Sequence, residues 1–317
     1  MRLNIAYASG DGYAKHAGVS MISLFENNKD FNEIFIYYID NGLLEETKQK
    51  LNSITKKYNR NIVFIPISDI FDVKSFKENN YYSNIIYTKM YFHKLKGVDK
   101  ILYIDSDMVI KGSFLELWNM DISNYLMAGV RMPTPIQYRN WFSNSNDDKY
   151  INVGFVLFNL VKWRIYEMDK KIIEFLEKNT GREFIEENIM CNICGNKILI
   201  LDPRYNLTGI MLAFSSDQIK QLTKDETYYN EFQLDNARKN PIVIHYSNEI
   251  YDRPWFKKCN HPYKNEYLEY LTISPWDGEL ENGVISLKVK IRNILRKILP
   301  FPVYYYIRSL QKKRGWN

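Results

Sequence analysis

Cysteine, histidine and long apolar runs are all scarce in this chain. Three cysteines in 317 residues build no disulfide framework and suit a reducing compartment. No stretch approaches the ~18 consecutive apolar residues of a membrane-spanning helix. Arg2 and Asn4 interrupt the first apolar segment, Leu3–Ala8, so no secretory leader is expected there. Acidic residues are missing altogether after Glu281. Nine basic residues follow it: Lys288, Lys290, Arg292, Arg296, Lys297, Arg308, Lys312, Lys313 and Arg314. The body before them holds 34 basic against 37 acidic residues, a net of −3, although the whole chain carries +6. The basicity is therefore local to the tail, and a nucleic-acid-binding body is excluded.

What is present is the balance of a folded α/β domain, 45% apolar and 25% charged, with many tyrosines. Leu3–Ala8 reads as a buried strand and Ser9-Gly10-Asp11-Gly12 as the loop after it. Helical spacing runs from Ala17 to Asn27 and again from Leu44 to Tyr58. Strands are expected at Ile34–Ile39, Ile62–Pro66 and Lys100–Ile104, with a helix at Tyr87–Leu95 before the last of them. Such alternation predicts a parallel sheet with helices on both faces. Ligands of such sheets bind at the carboxyl ends of the strands. Further on, a strand is expected at Asn152–Phe158, helices at Glu167–Lys178 and Glu186–Cys194, and a short strand at Pro241–His245.

The sharpest chemical signal is Tyr103-Ile104-Asp105-Ser106-Asp107-Met108-Val109. Residues i and i+2 of a strand point to one side, so Asp105 and Asp107 are expected to converge on one hard cation. His245 ends a second apolar strand, and imidazole beside two carboxylates suits Mn²⁺, with Mg²⁺ as the harder alternative. Arg253 follows, with a guanidinium shaped for a diphosphate. Cys191, Cys194, Cys259 and His261 admit a zinc reading. The two helical cysteines fit better as small packed side chains. His16 and His93 have no partner pattern.

These pieces together resemble glycosyltransferase family 8, which includes bacterial lipopolysaccharide galactosyl- and glucosyltransferases and glycogenin-like enzymes. The match runs in order through Ala8-Ser9-Gly10-Asp11-Gly12-Tyr13 and Leu102–Val109. It continues through Leu117-Trp118, Ile151–Phe155 to Trp163, and Glu186–Cys191. It closes on Arg204-Tyr205-Asn206 and His245-Tyr246 to Arg253-Pro254-Trp255. The resemblance implies a GT-A fold with a mostly parallel central sheet, a UDP-sugar donor (UDP-glucose or UDP-galactose), Mn²⁺, and a glycan or glycolipid acceptor in lipopolysaccharide or capsule synthesis. It also implies that the anomeric configuration is retained. It makes Asp105, Asp107 and His245 the metal ligands, with Asp105 also touching the donor. It sets Ala8 and Tyr13 against uracil, Lys89 on donor sugar and phosphate, Asn152 and Gly154 along the sugar, and Arg253 on the diphosphate. Glu187 is expected to face the anomeric centre and Glu186 the sugar hydroxyls. Gly10 and Gly12 replace side chains the family uses for uracil, so Asp11 is expected to supply an edge contact. A different nucleotide, or a catalytically degenerate glycan-binding protein, stays open as an alternative.

The expected organisation is a transferase domain over 1–277 and a basic amphipathic tail over 284–317. Leu287, Ile291, Ile294, Leu295 and Ile298 mark an apolar helix side, with Lys288, Arg292, Arg296 and Lys297 opposite. The helix is expected to end at Pro300 and to lie on anionic lipid at the inner face of a bacterial cytoplasmic membrane.

Overall fold

The computed structural model describes residues 1–70, 84–134, 149–179, 185–247, 250–283, 287–304 and 307. Its centre is a seven-stranded sheet in the order β3-β2-β1-β4-β7-β6-β8. The strands are β1 (Arg2–Ser9), β2 (Glu33–Asp40), β3 (Asn61–Pro66), β4 (Lys100–Ile104), β6 (Met127–Arg131), β7 (Ile151–Asn159) and β8 (Ile198–Ile200). Every pairing is parallel except the two made by β7. A two-stranded antiparallel sheet joins β5 (Met108–Ile110) to β9 (Val243–His245).

The principal helices are α1 (Asp11–Asn27), α2 (Glu45–Lys57), α3 (Met168–Lys178), α4 (Glu186–Cys194), α5 (Lys264–Thr272) and α6 (Leu287–Ile298). They lie in layers on the two faces of the sheet, and the strand pleat decides which residues meet which layer. Leu102 and Ile104 of β4 belong to the core shared with α1, α2, β5, β9 and α5. Ile101 and Tyr103 belong to the opposite core, with α3, α4 and the 3₁₀ segment Asn84–Lys94. Because β4 and β7 are covered on both faces, their middles, Ile101–Ile104 and Phe155–Phe158, are continuous apolar runs with no alternation.

Several expectations change. Helix α1 begins at Asp11 instead of Ala17, because Gly10 takes an extended cap conformation directly after β1. The helix expected at Tyr87–Leu95 is the longer 3₁₀ segment, and the strand expected from Pro241 begins at Val243. β5, β6 and β8 were not expected from the sequence. The two histidines without a partner pattern in the sequence are both engaged: His16 Nδ1 lies 2.8 Å from the Tyr267 hydroxyl, and His93 pairs with Asp169.

Helix α6 packs on the body through one side. Leu295 and Leu299 join the first core, followed by Phe301 and the buried Tyr304, whose rings both meet Phe214. Asn293 donates to the Ile250 carbonyl at 2.7 Å. The other side leaves Leu287, Ile291, Ile294 and Ile298 exposed by 72%, 48%, 54% and 72%. That spacing of four, three and four traces one straight stripe on a helix. The sequence had grouped Leu295 with the stripe, but it faces the body. No helix among the described residues is long and apolar enough to cross a membrane.

Candidate active site

Two strand ends and a turn assemble the site. Asp105 and Asp107 lie beyond the end of β4, where the chain turns before entering β5. A turn, and not the pleat of one strand, therefore brings their carboxylates together. β5 pairs with β9 in a register that sets Met108 opposite His245. The Tyr246 amide also donates to the Asp107 carbonyl at 2.9 Å. His245 Nε2 consequently lies 3.3 Å from Asp107 Oδ1. One ligand atom each from Asp105, Asp107 and His245 lies within 4.8 Å of the others.

A relay of amides fixes how the imidazole presents itself. The Gly154 N–H donates to Asn152 Oδ1 at 3.1 Å, which establishes that atom as an acceptor. Asn206 Nδ2 donates to the same oxygen at 2.9 Å. Asn206 Oδ1 is thereby left to accept from His245 Nδ1 at 3.0 Å. The proton on Nδ1 directs Nε2 inward, which is the usual outer support of a metal-bound histidine. Burial would raise the Asp107 carboxyl, but His245 and Arg253 outweigh it and hold it far below the ordinary carboxylate range. Arg253 Nη1 stands 2.9 Å from Asp107 Oδ2. Two carboxylates and an oriented imidazole fit a divalent cation.

Beside this group runs a ladder of charges. Lys89 is 2% exposed. Its Nζ donates to Glu186 Oε1 at 3.2 Å and the Val153 carbonyl at 3.3 Å, and lies 3.8 Å from Asp105 Oδ1. Burial alone would lower the pKa of this ammonium, but Asp105 and Glu186 more than offset it, so the net shift is upward. Tyr103, which the sequence did not single out, donates to Asp105 Oδ1 at 2.6 Å. Gly154 is required by crowding: a Cβ there would stand 2.4 Å from Asp105 Oδ2. Glu186 and Glu187 open α4, yet both are buried, unlike ordinary first-turn acids. Glu186 faces Lys89. Glu187 Oε2 accepts from the Val153 amide at 3.4 Å. Burial first, and Glu186 second, push Glu187 up to about 8.

On the other side of the metal group, Tyr13 projects from the first turn of α1, 44% exposed. The Arg253 guanidinium lies 5.7 Å from its ring and 5.0 Å from that of Trp255. Ala8, near the end of β1, is partly exposed. Asp11 Oδ1 accepts from the Leu44 amide at 3.0 Å. Asn206 appeared in the sequence only as part of Arg204-Tyr205-Asn206, and its link to His245 requires the fold. The zinc alternative does not assemble. Cys191 Sγ donates to the Ile151 carbonyl, Cys259 Sγ to that of Asp252. Among the described residues, Asp105, Asp107 and His245 are the group able to hold a metal.

The chain is also similar to known proteins. A putative glycosyltransferase of Haemophilus influenzae is 30% identical over 267 residues, covering 82% of this chain and 74% of that one. A lipopolysaccharide 1,2-glucosyltransferase of Escherichia coli K12 is 24% identical, covering 92% and 85%. The solved galactosyltransferase LgtC, in complex with donor and acceptor sugar analogues, superposes with a TM-score of 0.72 at 19% identity, covering 90% and 98%. The GT-A fold is thus shared. Residues 4–259 match the description of Glycosyl transferase family 8, and the chain belongs to that family.

Proposed function

We propose that this protein is a retaining hexosyltransferase that moves glucose or galactose from a UDP-sugar to a glycan during synthesis of a bacterial cell-surface polysaccharide or glycoconjugate. The observation that carries the reading is the convergence of Asp105, Asp107 and His245 between Arg253 and Lys89. Mn²⁺ bound by the three ligands would supply Lewis-acid neutralisation of the departing diphosphate. Arg253 adds a second positive charge at the same place, and charge developing on the leaving group is where such help lowers a barrier. Tyr13 stacks on uracil and Ala8 meets it through the backbone. Asn152 and Gly154 line the sugar, and Lys89, Glu186 and Asp105 hold its hydroxyls.

The two open routes to retention differ in what they require. A covalent route needs an ionised carboxylate as nucleophile. Glu187 is pushed up by burial and by Glu186, which works against it as an ionised nucleophile. Acceptor and leaving group on one face of the sugar is the route that makes no such demand of Glu187. The donor remains divided between two hexoses, as the names of the similar proteins are: one is a glucosyltransferase and another a galactosyltransferase.

The site of action we propose is the inner face of the cytoplasmic membrane. In support, α6 leaves Leu287, Ile291, Ile294 and Ile298 outward within a segment that has basic residues and no acidic ones. Such a helix suits the boundary of an anionic bilayer.

Turnover of UDP-glucose, UDP-galactose and GDP-sugars, each with and without Mn²⁺, tests the catalytic reading. One UDP-hexose should be consumed in a metal-dependent way, with an α-linked product by proton NMR. Equal turnover without metal, or preference for a GDP-sugar, would overturn it.

A further inference from the structure

The last acidic residue of the chain, Glu281, sits in a position the reaction scheme does not use. Its backbone is tied to the loop that carries Arg253 and Trp255. The Glu281 amide donates to the Trp255 carbonyl at 2.9 Å, and the Lys257 amide donates to the Glu281 carbonyl at 3.1 Å. Gly283 presses on Phe256 so closely that a Cβ would come within 2.1 Å of the ring. The Glu281 side chain reaches instead to α1. Its Oε1 lies 2.7 Å from Lys15 Nζ and 3.5 Å from His16 Nε2. Lys15 also donates to the Glu279 carbonyl at 3.4 Å.

His16 transmits this contact inward. It is 2% exposed and burial lowers it to about 3, so it is a neutral ring that meets the Glu281 carboxylate at 3.5 Å without forming an ion pair. Its face stacks on Trp255 at 3.8 Å between centroids. Its edge meets Tyr13 at 5.4 Å. Trp255 in turn lies under the Arg253 guanidinium, which faces Asp107. A continuous path of contacts thus runs from Glu281, through Lys15, His16 and Trp255, to Tyr13 and Arg253.

We propose that Glu281 is a donor-positioning residue: it clasps α1 to the Arg253–Trp255 loop, so that Tyr13 and Arg253 are held at the spacing of a nucleoside diphosphate. The proposal rests on the reading of Tyr13 and Arg253 as the nucleotide contacts. It gives the last residues before the tail a part in binding the donor, although they touch neither sugar nor metal.

Calorimetry on the full-length protein tests it, with Mn²⁺ alone and with UDP in the presence of Mn²⁺. Glu281→Gln should weaken UDP about tenfold, about 1.4 kcal/mol, and raise the donor KM by a similar factor while kcat holds. Its affinity for Mn²⁺ alone should stay at the parental value, which general loosening of the fold would not spare. The exchange Lys15→Glu with Glu281→Lys should restore most of the UDP affinity. If Glu281→Gln does not fold, Lys15→Met opens the same clasp from the helix side. Parental UDP affinity in the folded single variant overturns the proposal. A parent that itself fails to bind UDP overturns instead the nucleotide reading beneath it.

Discussion

A carboxyl buried beside another carboxyl gives up its proton late, and Glu187 is such a group. Burial and the neighbouring Glu186 raise it from 4.5 to about 8. The unfolded chain releases this proton near pH 4.5, whereas the folded chain keeps it. The stability contribution is therefore fully present below pH 4.5 and is lost as pH rises to about 8. Each unit of such a shift is worth about 1.4 kcal/mol. Glu187→Gln should remove that dependence, melting several degrees above the parent at pH 8 and close to it at pH 4. Equal melting temperatures at pH 8 would mean that the fold does not raise Glu187 above its ordinary range. Asp107 has the opposite character, since His245 and Arg253 keep it ionised against burial. Asp107→Ala should leave the fold intact and abolish Mn²⁺-dependent turnover. Unchanged Mn²⁺–UDP affinity by calorimetry would refute its role as ligand. Both aspartates and His245 were legible in the sequence because each follows an apolar strand. Asn206 and Glu281 were not assigned their contacts, because each acts through a partner distant in the chain; Tyr103 was not, because a tyrosine inside an apolar strand reads as core.

At the scale of elements, the metal group depends on strands of three residues. β5 and β9 are too short for a period of two to be read with assurance, and only their pairing sets His245 opposite Met108. The long strands and most of α2, α3 and α4 were legible because apolar spacing repeats over several turns or pleats. The reversed direction of β7 was not, since a strand buried on both faces reads the same either way. The amide relay Gly154–Asn152–Asn206–His245 joins these elements. Asn206→Ala should free the imidazole to turn and lower Mn²⁺ affinity by about 10- to 100-fold. Its melting temperature should fall far less than that of a core truncation. Calorimetric titration with Mn²⁺ checks this, and an unchanged dissociation constant would remove Asn206 from the site.

Across the whole molecule, the described part of the tail is neither detached nor fully covered. Its amphipathic pattern was legible, but which apolar residues face the body depends on the aromatic cluster around Phe214. Deleting the tail would strip Leu295, Phe301 and Tyr304 from the core, so outward substitutions give the cleaner test. Ile291→Gln, Ile294→Gln and Ile298→Gln together should leave melting and donor hydrolysis near the parental values. Sedimentation with anionic liposomes should drop at least fivefold at low salt. Undiminished liposome binding would reject the stripe as the membrane-facing surface.

The pairing of Met108 with His245 also bears on how the enzyme is made. During synthesis the two aspartates emerge long before the histidine, and a pair of carboxylates alone is a weak trap for a transition metal. The third ligand arrives only when β9 has been translated and has closed a long loop back onto β5, a non-local contact that forms slowly. At the proposed site, metal capture would thereby be deferred until almost the entire catalytic body has left the ribosome. In refolding, the appearance of high-affinity Mn²⁺ binding should trail the recovery of helical circular dichroism and coincide with the final burial of Trp255, making the metal a reporter of completed topology.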